Sequence, residues 1–97
     1  MEVRFRSRAL LDAYQDQRIA IIEWGQRVGD RYRERVDLMA SLAVAKDLYS
    51  APQLHFHPLV GDRAGQFAVY LTGLYRLIVT FEDGAVVVEE VSAHYGD

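Results

Sequence analysis

The side chains with most to offer a reaction in this sequence are His57, His94, Tyr95 and Arg76, with Arg63 and Gln66 nearby in the chain. An imidazole takes or gives a proton near neutral pH, a phenol hydrogen-bonds, and a guanidinium makes a forked, permanently charged contact with phosphate. Metal-free cleavage of RNA needs such groups. The ribose 2′-OH attacks the neighbouring phosphate, so one group must remove its proton, another must protonate the leaving oxygen, and a cation must meet the developing charge. Arg63 stands between Gly61 and Gly65, where a backbone of small residues permits close approach to a phosphate. Arg63 and Gln66 are therefore candidate RNA contacts, although a surface arginine that steadies a turn accounts for the same pattern.

No metal is expected. The chain has no cysteine, and His55 and His57, two residues apart, lack a matched carboxylate to complete a ligand set. No small-molecule cofactor is expected either. With 97 residues, 51% of them hydrophobic, there is apolar surface for one core, so residues 1–97 read as a single domain. The net charge of -3 argues against a broad basic footprint for nucleic acid and leaves local clusters to contact RNA. The start, Met1-Glu2-Val3-Arg4-Phe5-Arg6, lacks the apolar core of a signal peptide, and no stretch approaches the roughly 20 apolar residues of a membrane span. A cytoplasmic protein with no membrane partner is the expectation.

The elements that must position these residues follow from periodicity. Residues 2–6 alternate, with Val3 and Phe5 inward, and predict a short strand. After Ser7, a candidate cap, Leu10, Leu11, Tyr14, Ile21 and Ile22 return to one face and predict a helix to about Trp24, stopped by Gly25. Val28, Tyr32, Val36 and Met39 form the next stripe, on a second helix beginning near Gly29 or Asp30. Arg27, Arg31 and Arg35 recur at four-residue spacing on it and, interleaved with Asp30, Glu34 and Asp37, read as a solvated face. Beyond Leu54 the period becomes that of strands. Gln66 to Leu71, Tyr75 to Phe81 and Ala85 to Val91 alternate, separated by Thr72-Gly73-Leu74 and Asp83-Gly84 turns. The expected fold is α+β: an N-terminal strand, a two-helix antiparallel hairpin, then a three-stranded antiparallel meander with the helices on one face.

Read as one string, His57-Pro58-Leu59-Val60-Gly61-Asp62-Arg63-Ala64-Gly65-Gln66-Phe67 and, after a turn, Leu74-Tyr75-Arg76-Leu77-Ile78 carry a recognisable pattern. It resembles the central motif of HigB-like toxins in the RelE/ParE superfamily, approximately H-P-L-K-G-D-R-x-G-x-aromatic followed by aromatic-R-L/I-I. The resemblance covers the whole chain, strongly from residue 54 and by layout before it. It implies a RelE-like fold and a metal-independent endoribonuclease that cuts messenger RNA in the ribosomal A site. Its partners would be the ribosome, the message, and a cognate antitoxin expected to be a small helix-turn-helix protein. His57 corresponds to the motif histidine and Arg76 to the strand arginine, while Val60 stands where the family often has lysine.

The end of the chain departs from that pattern. Ala93-His94-Tyr95 occupies the place where many HigB-like toxins read Asp-Tyr-His. If Asp83-Gly84 makes a two-residue turn, Phe81 pairs with Val86, Val79 with Val88 and Arg76 with Val91. Arg76, Ala93 and Tyr95 then share a face, whereas His94 sides with Tyr75 and Leu77. Tyr95 is favoured on this register and a bulge reverses the choice, so both residues stay candidates. Val60 and Ala93 also point to a rival class: a non-enzymatic member, either a ParE-like gyrase inhibitor or a degenerate antitoxin-binding protein.

Overall fold

The computed structural model describes residues 1–93. Strand β1, Val3–Phe5, leads to Ser7, whose hydroxyl accepts the Leu10 N–H at 3.2 Å and caps helix α1, Arg8–Gln15. The single helix expected to reach Trp24 is two. The backbone leaves the helix at Asp16, whose carboxylate accepts the Arg18 N–H at 2.9 Å and caps α2, Gln17–Trp24. An aspartate inside a periodic stretch is also a helix-start signal, and its local bond to the backbone wins here. The break re-aims the apolar stripe: Ala20 is fully buried, whereas Ile22 is 84% exposed.

Gly25 ends α2 at a φ of 84°, a conformation that favours glycine. Helix α3, Gln26–Ser41, starts immediately after it and not at Gly29 or Asp30. Gly29 lies inside the helix as a contact, because a Cβ there would come within 2.8 Å of the carbonyl carbon and oxygen of Ala20. The two helices thus touch backbone to backbone.

Short 3-10 turns at Ala45–Ser50 and Pro52–Leu54 lead into β2, His57–Pro58, and a third at Gly61–Arg63 leads into the meander. Its strands are β3, Phe67–Thr72, β4, Tyr75–Glu82, and β5, Ala85–Ser92. The sheet order is β1-β5-β4-β3-β2, with β1 parallel to β5 and the other neighbours antiparallel. The expected meander forms, and two short edge strands widen it. Val28, Tyr32, Val36 and Met39 of α3 share one core with Val69, Leu71, Leu77, Val79, Val86 and Val88. Alternate residues Ala68 and Ile78 face away from the helices and pack with Leu59. The opposite face of the sheet is therefore where polar side chains can gather.

The Asp83-Gly84 hairpin forms with both turn residues at positive φ, and Phe81 and Val79 pair with Val86 and Val88. Beyond Val88 the register shifts, so Ile78 meets Glu90, Leu77 meets Val91 and Arg76 meets Ser92. Glu89 is the extra residue of this bulge, with its carboxylate bonded to Arg6 and to the Thr80 hydroxyl.

Candidate functional site

Residues directly opposite in a sheet share a face. One cross-strand row runs His57, Ala68, Ile78, Glu90, and the next runs Tyr70, Arg76, Ser92. Both rows lie on the face turned away from the helices. His57 and Arg76 come together there, and with His55, Phe56 and Tyr70 they line an open cleft of about 670 Å³.

The Nδ1 atom of His57 is 2.8 Å from the carbonyl oxygen of His55. A carbonyl only accepts, so Nδ1 carries the proton and Nε2 is the basic atom of the neutral ring. His55 aims its carbonyl this way from a left-handed conformation, φ 45° and ψ 42°, at the end of the Pro52–Leu54 turn. Its ring meets that of Tyr70 edge-on at 5.5 Å. Phe56, buried between the two histidines, stacks on Phe67 at 5.2 Å and anchors the segment to the core.

Arg76 is held across the β3–β4 turn. Its guanidinium carbon is 4.7 Å from the centroid of the Tyr70 ring. Its Nη1 donates to the carbonyls of Gly73 at 2.8 Å and Tyr75 at 3.0 Å. The Gly73 N–H in turn donates to the Tyr70 hydroxyl at 3.2 Å.

Two of the helix arginines are not solvated as their spacing suggested. Arg31 donates to the Leu71 carbonyl at 3.1 Å and Arg35 to the Tyr70 carbonyl at 3.3 Å. The register of β3 against β4 shifts between Tyr70 and Thr72, and these guanidinium donors serve the carbonyls of that irregular stretch. Burial, then the charge on Arg31, holds Arg35 below the ordinary guanidinium value.

Arg63 and Gln66 lie outside the described lining of the cleft. Arg63 donates to the Gln66 side chain at 2.7 Å and pairs with Glu90 at 2.9 Å, a tie between the turn and β5. His94 and Tyr95 fall outside the described residues. The bulge removes the reason for preferring Tyr95, because Arg76 sits opposite Ser92 and not Val91, which leaves Ala93 on the other parity. Tyr70 was not singled out from sequence. Its signal was its parity with Ala68 on the strand and its place across the turn from Arg76. Among the described residues, no group of three or more His, Cys, Asp or Glu is placed to hold a metal ion. None of the described helices is long and apolar enough to cross a membrane.

No protein-family model matches the chain. No curated protein matches it either. Solved structures do match. YafQ from E. coli superposes with a TM-score of 0.65 at 12% identity, covering 94% of this chain and 90% of that one. The YoeB–YefM complex from Staphylococcus aureus gives 0.57 at 14% identity, covering 98% of each chain. The toxin–antitoxin complex RelBE2 from Mycobacterium tuberculosis gives 0.51 at 26% identity, covering 94% of each. The chain has the fold of the RelE/ParE-type toxins. In this RelE-like fold the helices occupy one face of the sheet, and the cleft of His57, Tyr70 and Arg76 opens on the other.

Proposed function

We propose that the chain is the toxin of a type II toxin–antitoxin system, an endoribonuclease that cuts messenger RNA on the ribosome. The observation that carries this reading is the meeting of His57 and Arg76 in one open cleft, on a fold shared with YafQ and YoeB. Nε2 of His57 takes the proton of the ribose 2′-OH as that oxygen attacks the adjacent phosphorus. Arg76 faces the charge that grows on the phosphoryl oxygens, and the bond to the departing 5′-oxygen breaks as it gains a proton from His94 or Tyr95. These groups suffice without a metal. Arg63 and Gln66, tied to each other and to Glu90 outside the cleft lining, are the outlying candidates for RNA contact, and a protein acting on ribosomes works in the cytoplasm.

The partner is a cognate antitoxin, for which a small helix-turn-helix protein is the expected form; of the structures above, RelBE2 is a toxin–antitoxin complex by name. Placement in the HigB-like branch rests on the string from His57 to Ile78. Induced expression with ribosome profiling should give A-site cleavage and growth arrest, both weakened by Arg76→Ala. Full toxicity of that variant sinks the role given to Arg76. One feature favours the non-enzymatic reading: Val60, where the motif often has lysine, is 84% exposed and offers phosphate nothing. Growth arrest with intact messages and DNA-damage signalling would select gyrase inhibition instead.

A further inference from the structure

We infer that Tyr70 is the positioning residue of this site, holding the Arg76 guanidinium in the attitude in which it meets the scissile phosphate. This rests on the nuclease reading above and adds a residue to which neither the motif nor the fold assigns a role. Three contacts close a ring across the β3–β4 turn. The Arg76 guanidinium lies over the Tyr70 ring, Arg76 Nη1 donates to the Gly73 carbonyl, and the Gly73 N–H donates to the Tyr70 hydroxyl. Each member is thereby fixed by the other two.

An arginine side chain is long and rotamer-rich, and its value at a phosphate depends on delivering a planar fork in one orientation. The aromatic face sets the tilt of that plane, and the Gly73 carbonyl sets its rotation. Tyr70 can serve as a reference because it is itself held from other sides. Arg35 donates to its carbonyl, the His55 ring abuts its edge, and its backbone pairs with that of Arg76. Phenylalanine would keep the face and lose the hydroxyl bond to Gly73. Leucine or methionine would fill the same place on the strand with no π-face at all.

The test uses the purified full chain with Tyr70→Phe, Tyr70→Leu and Tyr70→Met, each alone and combined with Arg76→Ala. The first readout is the NMR signal of the Arg76 Nε–H, identified by its loss in Arg76→Ala. A ring-current shift should be present in the wild type, persist in Tyr70→Phe and vanish in the leucine and methionine variants. The second is cleavage of a ribosome-bound message. Tyr70→Leu and Tyr70→Met should lower kcat about tenfold with KM little changed, Tyr70→Phe should stay within about threefold, and neither loss should recur in the Arg76→Ala background.

An Arg76 signal indifferent to the aromatic ring overturns the inference, as does a loss of rate that persists without Arg76. A wild-type chain that cleaves nothing overturns the nuclease reading instead. The ring-current result then decides by itself whether Tyr70 holds Arg76.

Discussion

The Nδ1 atom of His57 and the carbonyl oxygen of His55 are 2.8 Å apart, and that contact fixes which ring nitrogen carries the proton. A backbone carbonyl from a left-handed residue thus orients the histidine as a base. The expected result of His57→Gln is a fall of about 100-fold or more in cleavage of a ribosome-bound message, the range lost with a general base. His57 is only half-buried, so the thermal midpoint should stay near that of the wild type. A His57→Gln chain that cleaves normally would remove the histidine from the chemistry.

Arg76→Lys is the sharper substitution at the second group. Lysine keeps the charge but cannot donate to Gly73 and Tyr75 while lying over the Tyr70 ring and presenting a fork to phosphate. Loss of one fixed electrostatic donor costs roughly 100-fold in rate. Arg76→Lys should therefore resemble Arg76→Ala in a growth-arrest assay. Toxicity restored by lysine would mean that charge alone matters and geometry does not.

The contact of Gly29 with Ala20 should be visible as stability. A methyl group at residue 29 would meet main-chain atoms at 2.8 Å, and main chain cannot swing aside as a side chain can. Separating α2 from α3 to make room should cost about 1–3 kcal/mol, the usual range for overpacking a core. Gly25→Ala is the useful contrast, since nothing lies within 4 Å of a Cβ there and only its φ of 84° resists alanine. Denaturant unfolding should rank Gly29→Ala as the more destabilised, and the reverse order would contradict the close helix approach.

Which parts of this architecture were legible follows from how local each signal is. The stripe Val28-Tyr32-Val36-Met39 and the Asp83-Gly84 turn are written within one element, and the structure has both. The helix break at Asp16 was not legible by periodicity, because a capping side chain competes with a pattern that continues through it. The bulge at Glu89 was hidden for another reason: the pull comes from Arg6, far away in sequence, which binds that carboxylate beside the sheet. His57 and Arg76 were found through a motif, whereas Tyr70 needed the pairing of two strands before its ring could be placed against a guanidinium. Arg31 and Arg35 misled because four-residue spacing describes a helix face and not what packs over it.

The same bulge gives the fold an acid-sensitive point. Glu89 accepts from Arg6 Nε at 3.0 Å and Nη2 at 2.9 Å, and its side chain is 16% exposed. The hydrogen bond from Arg6 is the main cause that holds the Glu89 carboxyl below its ordinary value, against the opposing effect of burial. A carboxyl depressed by folding binds fewer protons in the native chain than in the unfolded one, so stability rises with pH across this window. The contribution is complete above the unfolded value, near pH 4.3, and is lost as pH falls from there through the folded one. Glu89→Gln should lose about 1 kcal/mol at neutral pH and show a shallower decline of the thermal midpoint between roughly pH 5 and 3. Asp16, depressed chiefly by its side-chain bond with Arg18, acts with the same sign, so the slope should shrink without vanishing. Parallel midpoint-against-pH curves for Glu89→Gln and the wild type would show that the bulge carboxylate does not report pH.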